Sequence, residues 1–176
     1  MTAKKHMAIP VDLHKLGRHP GEMIERHIEV PAPSDLSIAM VGVPEGSPVT
    51  IDLTCQSAGD GVLVEGVADV ILAGQCARCL SDFERPASYD LQELYFYPGR
   101  EPEESDDELH VADDVIDLEP VLRAAIVLNL PFSPLCSDDC AGLCQVCGAD
   151  LNEQPDHVHE APPDDRWAAL ATILPQ

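Results

Sequence analysis

Apolar and polar residues alternate from Val49 to Cys55, with Val49, Ile51, Leu53 and Cys55 set against Thr50, Asp52 and Thr54. A period of two is that of a strand with one face in a core and the other in water. Ser57-Ala-Gly-Asp-Gly61 then reads as a hairpin turn, and residues 62–72 as a longer second strand with Val62, Val64, Ala68, Val70 and Leu72 on one face. Gly66 interrupts that face, which predicts a bulge or a close backbone approach. Tyr89 to Tyr97 reads as a third strand and holds most of the aromatic residues, which are expected to pack against the core. Three strands joined in this way predict an antiparallel sheet.

The period changes after this. Asp117 can cap a long helix in which Leu118, Val121, Leu122, Ala125 and Ile126 recur at helical spacing, with Pro120 tolerated in the first turn and Pro131 as the stop. Asp164 opens a short terminal helix whose apolar face is Trp167, Leu170, Ala171 and Leu174. Pro10, Pro20, Pro31 and Pro33 leave room in the first 35 residues for only a short helix around Gly21 to His27, the rest being extended or loop. Residues 98–114 are dense in acids with almost nothing to bury, as in a mobile loop. The expected class is α+β: an antiparallel β-sheet or small barrel packed with a long helix over residues 1–130, then a zinc-binding C-terminal module and short helix over 131–176.

Charge adds a second theme. Ten Lys and Arg against 32 Asp and Glu give a net charge of −22. Residues 1–27 carry a balance of +2, from Lys4, Lys5, Lys15, Arg18 and Arg26 against Asp12, Glu22 and Glu25, so the remainder carries −24. Such a surface repels phosphate backbones and attracts basic proteins, and acidity of this kind equally serves solubility alone. No apolar run approaches the ~20 residues that cross a bilayer. Met1 to Met7 lacks the apolar run of about 7–15 residues that a secretory signal needs, so a cytoplasmic location with reduced thiols is expected.

Reduced thiols change the meaning of Cys136-Ser-Asp-Asp-Cys140-Ala-Gly-Leu-Cys144-Gln-Val-Cys147-Gly148, where four of the seven cysteines fall within twelve residues. In a reducing compartment such crowding points to metal. Cys144-x-x-Cys147 followed by glycine is the pattern of a zinc knuckle, the glycine allowing φ > 0 in a tight turn. A second pair stands at Cys76-Ala-Arg-Cys79, and His157-Val-His159 follows the cluster. Cys76, Cys79, Cys136, Cys140, Cys144, Cys147, His157 and His159 are therefore candidate ligands, enough for two four-coordinate zinc ions. Cys55 falls on an apolar strand face and is expected to be structural. His6, His14, His19 and His27 lack ligand spacing.

With these motifs placed, the chain resembles the bacterial YceD family over nearly its whole length, and most of all its actinobacterial branch. The resemblance is carried by Leu16-Gly-Arg-His-Pro-Gly21, Val43-Pro-Glu-Gly-Ser-Pro48, Cys76-Ala-Arg-Cys79-Leu80, Ile116-Asp-Leu118, Leu130-Pro131, Cys136-x3-Cys140-x-Gly-Leu-Cys144-x-x-Cys147-Gly-Ala-Asp-Leu-Asn152 and Asp165-Arg-Trp-Ala-Ala-Leu170. It implies a role in accumulation of large-subunit ribosomal RNA. Family members often carry Cys-x-Cys where this chain has His157-Val-His159, a replacement that zinc accepts. Others lack the second knuckle but keep the first, which suggests two sites. The preferred partition joins Cys76, Cys79, Cys136 and Cys140 in one and Cys144, Cys147, His157 and His159 in the other; pairing the two knuckles with each other is the alternative.

The expected function is a non-catalytic zinc-binding factor that supports large-subunit biogenesis by holding a basic ribosomal protein or assembly intermediate. No GxSxG, no phosphate loop and no histidine beside an evident nucleophile argues for an enzyme or a small-molecule substrate. Direct binding of ribosomal RNA, through the basic N-terminal segment, Arg78 and Arg85, is one alternative. A zinc-folded interaction module unrelated to ribosomes is the other.

Overall fold

The computed structural model describes residues 9–100 and 109–159. In chain order the elements are strands β1 (Pro10–Asp12), β2 (Met23–Pro31), β3 (Val41–Gly42), β4 (Pro48–Ser57), β5 (Gly61–Gln75), β6 (Asp82–Phe96) and β7 (Val115–Asp117), then one helix, α1 (Glu119–Val127). Every pairing between strands is antiparallel. β4 joins β5 across a turn in which Gly59 takes φ 76°, and β5 and β6 pair along all fifteen residues of each. β2 lies outside β4, and β3 continues beside β5 where β4 has ended.

The period of two reads directly into burial. Val49, Ile51, Leu53 and Cys55 are 0–4% exposed, as are Val62, Val64, Ala68, Val70 and Leu72 opposite them. Gly66 keeps register between Leu53 and Leu91, and a methyl group there would stand 2.7 Å from the Leu53 Cα; close approach, rather than a bulge, is its reason. Tyr89 and Tyr95 are buried, and the Tyr95 hydroxyl donates to the Asp117 carbonyl at 2.8 Å, so these aromatics belong to the core.

The helix differs from the long one expected. α1 has nine residues, because Pro120 sits in its first turn and the Asn129 side chain donates to the Ala125 carbonyl at 2.8 Å, closing the last turn well before Pro131. Asp117 does serve the start: its Oδ1 accepts from the backbone N–H of Glu119 at 3.1 Å and of Ile9 at 2.9 Å. Val121, Leu122 and Ile126 are buried, and α1 packs against β6. The short helix expected around Gly21 to His27 is instead the start of β2, where Ile24, Arg26, Ile28 and Val30 alternate with Glu25, His27 and Glu29. Within the acidic stretch 98–114, Val111 is buried, His110 bridges Phe96, and Ala112–Val115 forms a turn with Asp113 and Asp114 both at positive φ. Residues 101–108 and the terminal segment with Trp167 lie outside the described residues. Among those described, no helix is long and apolar enough to cross a membrane.

Candidate metal centre

The β5–β6 hairpin closes through six residues, Cys76 to Ser81, and these are the first knuckle. The Cys76 N–H donates to the Ser81 carbonyl at 2.9 Å, the Leu80 N–H to the Cys76 carbonyl at 3.0 Å, and the Arg78 N–H to the Cys76 sulfur at 3.5 Å. The segment from Cys144 to Ala149 repeats this pattern. There Cys144 N–H meets the Ala149 carbonyl at 2.8 Å, Gly148 N–H the Cys144 carbonyl at 2.8 Å, and Val146 N–H the Cys144 sulfur at 3.4 Å. Two stretches of unlike sequence thus fold into the same turn. The fifth residue of each takes positive φ, 75° at Gly148 and 61° at Leu80.

Each knuckle is met by a different pair. Cys76, Cys79, Cys136 and Cys140 bring their sulfurs within 4.8 Å of one another, and Cys144, Cys147, His157 and His159 do the same with sulfurs and ring nitrogens. In the first group Cys76 Sγ lies 3.7 Å from Cys140 Sγ, and Cys79 Sγ 3.6 Å from Cys136 Sγ. A disulfide would need about 2.05 Å; all seven cysteines are free. In the second group Cys147 Sγ lies 3.2 Å from both His157 Nε2 and His159 Nε2, which are 2.9 Å apart. The two imidazoles meet edge to face, so one sequence position between them is enough to aim both inward.

The first group is held to the sheet by contacts that the cysteine spacing does not reveal. The Arg78 guanidinium donates to the Cys140 carbonyl at 2.9 Å, and its own carbonyl accepts from Leu143 N–H at 3.2 Å. Gly142, at φ 78°, makes room for this: a Cβ there would be 3.1 Å from the Arg78 carbonyl oxygen. Ala77 N–H donates to the Pro134 carbonyl at 2.8 Å. Asn152 reaches back from the second group, accepting from Ala141 N–H at 2.7 Å and donating to Cys140 Sγ at 3.6 Å. Arg78 lies inside the CxxC and Asn152 ends the Cys-rich motif, so both were in view as residues, but nothing in their spacing assigned them this bridging.

Burial and charge separate the two groups. Cys76, Cys79 and Cys140 form a small buried cluster with Phe83, Leu135, Cys136 and Leu143 against it, whereas Cys147 and His159 are exposed. Burial raises the Cys76 thiol, but backbone N–H groups of Cys79, Cys136 and Arg78 outweigh it and bring the group down to about 6. Thiols of Cys140 and Cys79 bonded to Cys136 push that one up to about 11. A stabilised thiolate among neighbouring donors is the form that takes a metal cation. Cys144 is likewise lowered by the N–H groups of Cys147 and Val146. Cys55 stands apart, buried in the sheet core and raised to about 11 by that burial.

A family match covers this same region. The family described as "Large ribosomal RNA subunit accumulation protein YceD" matches residues 64–174, a span that contains all eight candidate ligands. The chain belongs to the YceD family. An uncharacterized protein of Mycobacterium tuberculosis is 41% identical over 178 residues, covering 98% of this chain and 86% of its own length. One from Mycobacterium leprae is 35% identical over 99% of this chain and 82% of its own. The chloroplastic "Large ribosomal RNA subunit accumulation protein YCED homolog 1" of Arabidopsis thaliana is 24% identical over 76% of this chain and 50% of its own length. No solved structure matches the chain. Two clusters able to hold metal ions, one built into the sheet of this YceD protein and one beside it, are what its fold contributes.

Proposed function

We propose that this YceD protein is a non-catalytic factor with two zinc ions, supporting large ribosomal subunit biogenesis in the cytoplasm by binding a basic ribosomal protein or assembly intermediate. The observation that carries the zinc reading is the closed donor set. Tetrahedral zinc with Zn–S of about 2.3 Å has sulfur–sulfur edges of about 3.8 Å, and the separations in the first group are 3.6 and 3.7 Å. The second group, with edges of 2.9 to 3.2 Å, is a few tenths of an ångström tighter than zinc–imidazole and zinc–thiolate bonds require. Four thiolates would hold the first ion with a charge of −2, and two thiolates with two neutral imidazoles the second with a charge of 0.

Four protein ligands leave no open position for water or substrate, which is why the reading is structural. The ribosomal part rests on the family's description, and the protein partner rests on charge: −22 overall repels RNA and draws in cations. The arginines available to an RNA reading are engaged elsewhere. Arg78 is bonded to Cys140, and Arg85 lies over the Phe83 ring at 5.7 Å. The test is affinity capture of the tagged chain from cells blocked in large-subunit assembly, with and without ribonuclease. Ribosomal proteins retained after ribonuclease are expected; loss of every partner would turn the assignment toward RNA.

A further inference from the structure

Among the described residues, nothing packs over one face of the sheet. Core side chains line the other side, and here three rows cross β2, β4, β5 and β6 in register. Glu25, Thr54, Glu65 and Gln92 form the first row, His27, Asp52, Val67 and Asp90 the second, and Glu29, Thr50, Asp69 and Ser88 the third. All are exposed or half-buried. Within a row the acids occupy alternate strands, and from row to row they shift by one strand. The six carboxylates therefore make a checkerboard. With strands about 4.8 Å apart and same-face residues about 6.7 Å apart along a strand, nearest acidic positions are about 8 Å from each other.

A solvated antiparallel face ordinarily places opposite charges across from one another. Here no two acids are directly opposed, which avoids the worst repulsion, yet no Lys or Arg stands between them. The arginines of these four strands, Arg26 and Arg85, fall on the opposite face. His27 is the exception, bonded to Asp52 at 2.6 Å. Of the neutral positions, Gln92 donates to Glu65 at 3.0 Å and Ser88 to Asp69, while Thr50, Thr54 and Val67 are short or apolar. Val67 is 38% exposed and ringed by carboxylates on all sides, Asp52 and Asp90 across the strands, Glu65 and Asp69 along its own. A shallow concavity of about 470 Å³ opens here over Glu25, Asp52, Glu65 and Val67, with Arg26 and His27 also in its lining; the Arg26 guanidinium is taken by the Asp12 and Glu25 carbonyls. An apolar floor within a ring of carboxylates suits one kind of side chain, an aliphatic stem ending in a cation.

We infer that this face of the sheet is the docking surface for a lysine- and arginine-rich protein segment, its cations seated between carboxylates and one stem lying on Val67. The charge spacing argues for the occupant: acids about 8 Å apart repel within a Debye length of about 10 Å, and cations recurring every second residue of an extended chain, about 6.7 Å, relieve that repulsion. The inference rests on the reading that the partner is a basic protein, and it names the surface and the recognition chemistry.

The test measures affinity of the full-length protein for a blocked peptide of about twelve alternating Lys and Thr residues at about 0.1 M salt. D52N/E65Q/D69N/D90N is expected to weaken binding about tenfold or more. E45Q/D113N/D138N/E153Q changes net charge equally at exposed positions outside β2, β4, β5 and β6 and is expected to weaken it by less than about threefold. Equal weakening by both, or none by the first, would overturn the proposal. Val67→Lys fills the central seat from within: it is expected to leave the melting temperature unchanged or raised while weakening the peptide about fivefold. Wild-type binding by that variant would also overturn it. Capture of large-subunit intermediates reads the ribosomal proposal separately. Failure of the wild-type chain to capture them would sink that reading and leave the peptide result standing, whereas undiminished capture by the sheet-face variant would remove this face from ribosomal recognition.

Discussion

The two cysteine knuckles have the same backbone hydrogen bonds and opposite surroundings. The first is the closing loop of the longest hairpin, its sulfurs buried beneath Phe83, Leu135 and Leu143 and tied across the sheet end by Arg78. The second lies beyond the sheet, with Cys147 and His159 in solvent and Val146 and Val158 exposed beside them. A turn of this kind presents two side chains wherever it occurs; what they then accomplish depends on what the other pair brings in. As the proposed zinc ligands, Cys136 and Cys140 would fasten the segment after α1 to the sheet, and His157 and His159 only the local loop.

The largest expected effect follows from that difference. Cys140→Ser should destabilise the sheet by more than about 4 kcal/mol, the range associated with loss of a metal centre, and lower the melting temperature by about 10 °C or more. Cys147→Ser should shift the same transition by less than about 3 °C. Equal shifts would mean that the centres share one cooperative unit. Chelation probes the same contrast kinetically. Excess EDTA, followed with a zinc-sensitive dye, should draw metal from the exposed centre at least about tenfold faster than from the buried one, and a single phase would erase the distinction.

Arg78→Ala sharpens the comparison without touching a ligand. It removes a charge-assisted bond from the first centre alone and should cost about 1–2 kcal/mol by denaturant melting. The smallest effects lie in the turns themselves. Gly148→Ala places a Cβ at φ 75° and should cost about 1 kcal/mol. Leu80→Gly does the reverse at φ 61° and should be neutral or stabilising by up to about 1 kcal/mol, glycine's added chain entropy offsetting the relief. A large loss from Leu80→Gly would show that the exposed leucine packs in a way its 53% exposure does not suggest.

Those glycine and leucine positions also show where sequence stops being readable. Gly148 announces its turn; Leu80 adopts the same conformation without any local sign, because the hairpin and the sulfur contacts impose it. The β4 and β5 faces were legible because one side is core and the other solvent, so the alternation is clean. β6 begins seven residues before Tyr89, a start concealed by Pro86, which an edge strand tolerates. β2 alternates as well as β4 does, but the spacing of the prolines around it also leaves room for a short helix, and pairing with β4 decides otherwise. Eight candidate ligands could be named from spacing, yet their grouping depends on distances between segments more than fifty residues apart, such as Cys79 and Cys136. The expectation of a long helix failed for a local reason, the Asn129 cap, whose geometry only the folded turn displays.

The most direct measurement is the zinc content of the purified chain and of its Cys144→Ser/Cys147→Ser variant by elemental analysis, with the sheet followed by circular dichroism. Two zinc ions per chain falling to one, with the sheet intact, is the predicted result. One ion or none in the wild-type chain, or loss of both together with the sheet when only the outer knuckle is changed, would contradict the account.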